Sequence, residues 1–432
     1  MLVHICEPLA NQSIFPYINQ AGYLNRELDI IGGDEKKVGY YASVSWFFMI
    51  EAFTVLHWSR ASDRFGRKPI LLMGLCGTFV SMICFGLSRT FWALVFSRCL
   101  TGLLNGNIGV MKSAMGDLTD PSNRAGGFAC MAVVWDVGAA VAPLVGGFLA
   151  RPQERFPRSF SGSFWTRFPY FMPCLAVGGF VLMTCLLALA FLEEVCTLLN
   201  FAKLNSGAHD GVDPSGPLPV RELLTFPVII SISNYASLAF LFISISALLP
   251  LILAMPIEIG GLGLSPAKIG LILSAYSAAT ALFQALFCAK LMQRFGSARV
   301  FIAGISMCLP AFALFPVISV VVQRAGLTPV VWFLLACVLA FGALVDTCFG
   351  AIFTFVNASA PTGSRGTVNG LAQTAVSTAH AIGPAMATAL FSLSLEKNLL
   401  SGHAVYVVFL CLSALALLLA MCLPAQLWEV ED

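Results

Sequence analysis

The sequence predicts an all-α integral membrane protein: twelve transmembrane helices in two six-helix halves. Three observations lead there. The 432-residue chain is 58% hydrophobic and only 11% charged, against about 45–50% apolar and about 25% charged in a soluble domain. With a mean hydropathy of +0.86 it lacks the polar surface to cover itself in water, so lipid must be part of its solvent. Apolar stretches of about 20 residues, the length a bilayer demands, recur along the whole chain. One polar, breaker-rich stretch divides them evenly.

The first span runs from Met1 to Tyr23. The next five are Val38–Trp58, Pro69–Ser88, Phe91–Lys112, Ala125–Ala150 and Pro169–Phe191. Then come Pro227–Met255, Pro266–Cys288, Val300–Val322, Pro329–Val356, Gly366–Leu393 and His403–Leu423. Between the sixth and seventh spans lies Glu193–Phe226, with Gly207, Asp210, Pro214, Gly216 and Pro217. That composition is too polar and too rich in breakers to cross a membrane. The expected organisation is an N-terminal half at 1–192, a cytosolic linker at 193–226 and a C-terminal half at 227–432. A weak internal repeat fits two such halves. Asp63-Arg64-Phe65-Gly66-Arg67 links spans two and three, and Gln293-Arg294-Phe295-Gly296-Ser297 links spans eight and nine. Ala142-Pro143 in span five has its echo in Gly383-Pro384 of span eleven. Repeated halves with a site between them are a transporter architecture.

Lys and Arg are shared almost evenly between the two sets of loops, so the positive-inside rule hardly separates the two orientations. The densest basic cluster is the short link holding Arg60, Arg64, Arg67 and Lys68. Dense charge on a short loop resists translocation, which places this link, and with an even span count both termini, in the cytosol.

The strongest motif is Ser62-Asp63-Arg64-Phe65-Gly66-Arg67-Lys68-Pro69. So tight a link between two spans needs the left-handed backbone that Gly66 permits. Pro69 suits the first turn of the following helix. Asp63 is placed to pair with Arg67 or to face that helix's positive end. Without further context, this is a basic loop that anchors topology. It also resembles the signature loop of the major facilitator superfamily. The resemblance implies that Asp63, Arg64, Gly66, Arg67 and Lys68 form a latch, holding one conformation by charge pairing with neighbouring helices.

Other stretches resemble fungal relatives of the zinc-induced-facilitator-like, drug:proton antiporter group, over nearly the whole chain. They are His4-Ile5-Cys6-Glu7-Pro8 with Ser13-Ile14-Phe15-Pro16-Tyr17, Leu104-Asn105-Gly106-Asn107-Ile108-Gly109-Val110, and Gly366-Thr367-Val368-Asn369-Gly370-Leu371-Ala372-Gln373-Thr374 followed by Ala381-Ile382-Gly383-Pro384. The resemblance implies export of small molecules. The chain departs from the pattern in places. Met1 lies almost at the start of the first span, where the family has a cytosolic tail, so either the tail is lost or the start lies further upstream. Ala142 replaces the Gly of a Gly-Pro pair, and Asp136 stands at a common Gly. Arg98-Cys99-Leu100-Thr101-Gly102 keeps the Arg and Gly of a second motif with Thr101 at its usual Gln.

Glu7, Glu51, Arg98, Asp136, Asp346 and His380 fall inside spans. A charge at mid-membrane costs about 2.5–3.5 kcal/mol on insertion scales, so each needs either a partner or a role. Helix rise puts Arg98 and Asp136 at similar depth on consecutive spans, so they are expected to pair. Glu7 is the alternative partner. These three are the candidates for proton coupling. Asn11, Gln12, Asn105, Asn107, Asn234 and Tyr235, on spans one, four and seven, are candidates for a substrate cavity; hydrogen bonding between helices is the alternative use of such groups.

The chain holds no nucleophile–base pair, HExxH, Gly-rich phosphate loop or CxxC, and no Cys/His set with metal-ligand spacing. Its 14 Cys are scattered through apolar runs as small fillers. The expected function is therefore secondary active transport, not enzymology: export of a small organic molecule in exchange for protons. No cofactor, metal or nucleic acid is expected. The expected partners are the substrate, protons and the bilayer, the expected state a monomer, and the expected site the plasma or vacuolar membrane. A second reading is a non-transporting sensor or scaffold that retains the fold.

Overall fold

The computed structural model of the chain describes residues 1–14, 38–120, 123–158, 160–192, 219–361 and 364–424. Among these residues it is helical, with no strand. In the first half the main helices are α1 (Leu2–Gln12), α2 (Val38–Phe65), α3 (Arg67–Gly86), α4 (Phe91–Leu104), α5 (Asn107–Leu118), α6 (Arg124–Leu149) and α7 (Phe171–Phe191). The second half has α8 (Phe226–Ala254), α9 (Pro266–Phe283), α10 (Ala289–Phe295), α11 (Ser297–Ser306), α12 (Cys308–Ala325), α13 (Pro329–Ala358), α14 (Arg365–Glu396) and α15 (Ala404–Ala420). Residues 193–218 of the expected linker, and residues 15–23 of the first span, lie outside the described residues.

Eight helices in the described residues are long and apolar enough to cross a membrane on their own. The other four expected spans fall short for identifiable reasons. Only the first turns of span one are described. Helix α2 carries Glu51, Arg60, Asp63 and Arg64 along its length. Span four is broken at Asn105–Gly106 into α4 and α5. Helix α15, the twelfth span, is apolar but only 17 residues long. Span four also continues to Leu118 rather than ending at Lys112. That correction moves a lysine from a helix end into the interior of the bundle.

The link between α2 and α3 is as tight as the sequence demands. Gly66 has φ 97°, and its repeat counterpart Gly296, between α10 and α11, has φ 82°. The two loops share one strained backbone that a β-branched residue would resist.

The largest apolar core fills the second half and continues into the first through Ile70, Val110, Met111 and Phe128, and two smaller clusters lie within the first half. In the second half Phe312 stacks on Phe409 at 5.0 Å and Phe315 on Tyr406 at 5.7 Å. Such ring pairs add about 0.5–1.5 kcal/mol beyond the area they bury. Large apolar side chains such as Phe53, Phe96, Leu186, Phe333 and Leu418 are exposed on the outside, as lipid-facing side chains are.

The halves meet along two seams, α2 against α14 and α6 against α9, α10 and α13. Small residues let the first seam close. Gly370 of α14 lies so near α2 that a Cβ there would stand 2.5 Å from Cβ of Ser59.

Candidate functional site

The site begins at the break in span four. Asn105 and Gly106 leave the helical path, which frees the last carbonyls of α4. In a bilayer those groups must be satisfied by protein. Trp58 Nε1 donates to Leu103 O at 2.8 Å and Thr54 Oγ1 to Gly102 O at 3.0 Å, both from α2. The break turns the Asn105 amide toward α1, where its Nδ2 donates to Glu7 Oε1 at 3.1 Å.

One and a half turns into α5, Lys112 enters the seam between the halves. Its Nζ donates to Tyr235 Oη of α8 at 2.6 Å and to Gln373 Oε1 of α14 at 2.9 Å. The same ammonium lies 4.7 Å from the Tyr235 ring centroid and 4.3 Å from that of Phe353 on α13. Aromatic faces attract a desolvated cation in this range. Glu51 of α2 accepts from Ser377 Oγ of α14 at 3.0 Å. Glu7 and Glu51 are the acidic neighbours whose field reaches Lys112, yet neither is within 4.0 Å of it. All three side chains are buried. Glu7 Oε2 and Glu51 Oε1 have no hydrogen-bond partner among the described residues. Two carboxylates and one ammonium thus sit at the meeting point of six helices, with acceptor capacity to spare.

Nearer the α2–α3 link a second network spans the seam. Asp63 Oδ1 accepts from Arg67 Nη1 at 2.7 Å and from Gly366 N at 3.1 Å. Its Oδ2 accepts from Thr367 N at 2.7 Å and from Thr367 Oγ1 at 2.9 Å. Asp63 makes one of the two contacts the motif suggests, and the other with a different helix. It pairs with Arg67, and it faces the positive end of a helix; that helix is α14 of the other half, not α3. Asp117, at the end of α5, bridges Arg67 at 3.2 Å and Arg365 at 3.1 Å. Arg365 also donates to Gly116 O at 3.2 Å. Lys68 is tied within its own half, to Leu189 O at 3.0 Å. Arg64 is exposed and outside this network.

The described residues thus hold a broken span, a buried charge centre between two halves and a charge network across the same seam. The Major Facilitator Superfamily model matches residues 1–384 and 235–427. The chain belongs to the Major Facilitator Superfamily. It is similar to the efflux pump azaK of Aspergillus niger, with 28% identity over 430 residues, 98% of this chain and 86% of that one. It is also similar to Protein ZINC INDUCED FACILITATOR-LIKE 1 of Arabidopsis thaliana, with 29% identity over 411 residues, 92% of this chain and 84% of that one. In fold it is similar to the crystal structure of the human organic anion transporter MFSD10 (TETRAN), with a TM-score of 0.72 over 97% of both chains at 20% identity. The protein is thus a multi-pass membrane protein of a transporter family, not an enzyme.

On this major facilitator frame the residues singled out in the sequence separate. Glu7, Asn105 and Tyr235 meet at the central cluster. Asn11 accepts from Arg98 Nη2 at 3.1 Å, and the Arg98 guanidinium lies 5.0 Å from the Phe47 ring centroid. Gln12 is half-buried at the end of α1. Asn107 turns away from the seam, against Gly74 of α3. Asn234 donates to Ile230 O at 2.9 Å and Leu419 O at 3.3 Å, tying α8 to α15 inside the second half. The expected Arg98–Asp136 pair does not form. Similar depth does not fix azimuth: Asp136 faces the other half, where its Oδ2 accepts from Gln284 Nε2.

Sequence reasoning missed Lys112, Gln373 and Ser377 at the centre, and Asp117, Arg365 and Thr367 in the network around Asp63 and Arg67. The signal for Lys112 was present: apolar and small residues continue on both sides of it, Gly109-Val110-Met111 and Ser113-Ala114-Met115, before the polar Asp117 and Asp120.

Proposed function

We propose that this transporter exports a small organic molecule in exchange for protons, its halves rocking about the Glu7–Glu51–Lys112 centre. The observation that carries the reading is Lys112 of one half donating to Tyr235 and Gln373 of the other, beside two carboxylates with an unpartnered oxygen each. A buried ammonium shared across a seam holds the halves together only while its acceptors stay in place. A substrate with an acceptor group competes for those donors. A proton on Glu7 or Glu51 changes the charge of the cluster by one, and in a dry seam a one-charge change is costly enough to favour a different arrangement of the halves.

The Arg60–Lys68 cluster suits the cytosol by its charge density, which supports reading the Asp63 network as a closure on the cytosolic side. The name of the Aspergillus relative, an efflux pump, supports export. All the named groups belong to one chain, which suits a monomer of two halves joined by the 193–226 linker, in either the plasma or the vacuolar membrane.

The test is uptake into proteoliposomes of purified protein, screened across a metabolite panel with and without an imposed pH gradient. We expect at least one organic solute to move, and the gradient to accelerate it. Flux indifferent to the gradient would remove the antiport. Absence of any flux across a broad panel would favour the sensor or scaffold reading.

A further inference from the structure

A cavity of about 230 Å³ lies away from both seams, inside the second half. It sits at the end of the bundle opposite the α2–α3 link, since α14 starts beside that link and finishes here. Four helices build its floor, with Ile252 from α8, Ser319 from α12, Phe391 from α14 and Tyr406 from α15. A short 3₁₀ turn, Ile257–Ile259, and the link between α14 and α15 close its sides. Gly260 ends the 3₁₀ turn with φ 88° and lets it press onto α12, where a Cβ would collide with Ser319 Oγ.

Three features point to a ligand. First, Ser319 and Tyr406 are only 6% and 3% exposed, yet both line the cavity and neither hydroxyl makes a hydrogen bond among the described residues. Ser244, Ser394 and Ser413, as deeply buried on neighbouring helices, turn their hydroxyls back onto the carbonyl four residues earlier. Ser319 does not. Buried hydroxyls are costly when unpaired, so the contents of the cavity must satisfy these two. Second, the rim amides of Gln323 and Asn398 and the His403 ring also make no side-chain hydrogen bond among the described residues. Third, the α14–α15 link that presents Asn398 is strained: Asn398, Leu400 and Ser401 have φ of 48°, 50° and 57°. Left-handed backbone at residues other than glycine gathers at ligand clamps. The link is pinned in this form, with Leu399 N donating to Ser394 O and Val405 N to Ser394 Oγ, both at 3.0 Å.

The chemistry of the walls narrows the ligand. Hydroxyls and amides both donate and accept, so they suit a solute whose groups do the same. No Lys or Arg among the described residues lines the cavity, and its one carboxylate, Glu258, is exposed on the rim. A charged ligand would find no buried counterpart here. Ile252 and Phe391 add an apolar patch to the floor. A ring polyol has this make-up, with C–H groups on its faces and hydroxyls around its edge. The volume is well above the about 30 Å³ share of one water and below the about 300–1,000 Å³ of drug-sized sites, which suits a single small ring. We infer that this cavity is a second binding site, separate from the Lys112 centre, for a neutral polyol the size of one six-membered ring. Its occupant ties together the ends of α8, α12, α14 and α15. Of these, α8 and α14 also hold Lys112, through Tyr235 and Gln373.

Binding is read without transport, so failure here leaves the export reading untouched. Purified full-length protein in lipid nanodiscs is titrated with tritiated myo-inositol and D-glucose, and with tritiated sucrose as a solute too large for the cavity. We expect saturable binding of at least one of the two single rings, half-maximal at about 1–10 mM for a ligand of about a dozen heavy atoms, and none of sucrose. Tyr406→Phe and Ser319→Ala each remove a hydroxyl at nearly constant shape, and the double variant should raise the half-maximal concentration about tenfold. Lys112→Met should leave it unchanged. In a background without reactive native cysteines, Ser401→Cys on the rim should be labelled by a soluble thiol reagent more slowly when the bound polyol is present. If neither ring binds saturably, the cavity holds only water and the proposal fails. Binding lost in Lys112→Met and kept in the double variant belongs to the central site and would equally overturn it. If the double variant does not fold, Ser401→Cys decides: a labelling rate indifferent to the polyol contradicts the proposal.

Discussion

Lys112 is the residue on which the central arrangement turns. Its ammonium has three donors, and two are given to the opposite half, to Tyr235 and Gln373. Methionine has a similar shape and no charge. Removing one member of a buried charge cluster leaves its neighbours uncompensated and costs stability, so the variant is compared with wild type at matched abundance. We expect Lys112→Met to reach the membrane at reduced abundance and, per folded molecule, to transport at least about tenfold more slowly, since it loses two charged hydrogen bonds of about 1.5–3 kcal/mol each. Flux within twofold of wild type at matched abundance would contradict a role for Lys112. At this scale the sequence was only partly legible. Glu7 and Tyr235 stood out because polar groups within apolar runs are conspicuous. Lys112 did not, because a lysine near a plausible span end is the ordinary snorkelling case. Only the break at Asn105–Gly106, which lengthens span four to Leu118, places it inside. The azimuth of Asp136 was beyond reach for a related reason: rise along a helix follows from residue count, but rotation about it depends on packing against neighbours.

Among the elements, the α2–α3 link and the start of α14 are the parts proposed as a latch. Its loop was legible because tight turns have a residue signature, and Gly66 has the positive φ that signature calls for. Its partners were not, because Asp117, Arg365 and Thr367 come from three distant points of the chain and only the fold joins them. Asp63 accepts three hydrogen bonds at the amino end of α14; on the rocking-halves proposal they are made only in the arrangement closed on this side. Asp63→Asn keeps the shape and removes the charge. A charged acceptor at a helix amino end is worth about 1–2 kcal/mol more than a neutral one. That cost falls on the closed state alone and shifts the equilibrium roughly 5–30-fold toward opening. The shift is measured with a cysteine at Ser113, buried here, in a background without reactive native cysteines. Labelling by a soluble thiol reagent from the latch side should accelerate by that factor in Asp63→Asn. An unchanged rate would mean that the network does not hold this side closed.

For the whole molecule, the two-half membrane fold was the most legible feature. Hydropathy and span counting suffice for it, since lipid forces the backbone into helices of nearly fixed length. The contents of the seams were the least legible, being set by which faces of the two halves meet. The central claim is that the seam at Glu7, Glu51 and Lys112 couples protons to the movement of the halves. The measurement that tests it most directly is the steady-state accumulation of a transported solute in proteoliposomes, across an imposed pH gradient, by wild-type protein and by the Glu7→Gln, Glu51→Gln double variant. Glutamine preserves the hydrogen bonds to Asn105 and Ser377 in outline and abolishes the titratable proton. The account predicts accumulation against a concentration gradient by wild type, and in the double variant only equilibration to equal concentrations, with gradient-independent exchange retained. Undiminished gradient-driven accumulation in the double variant would contradict it.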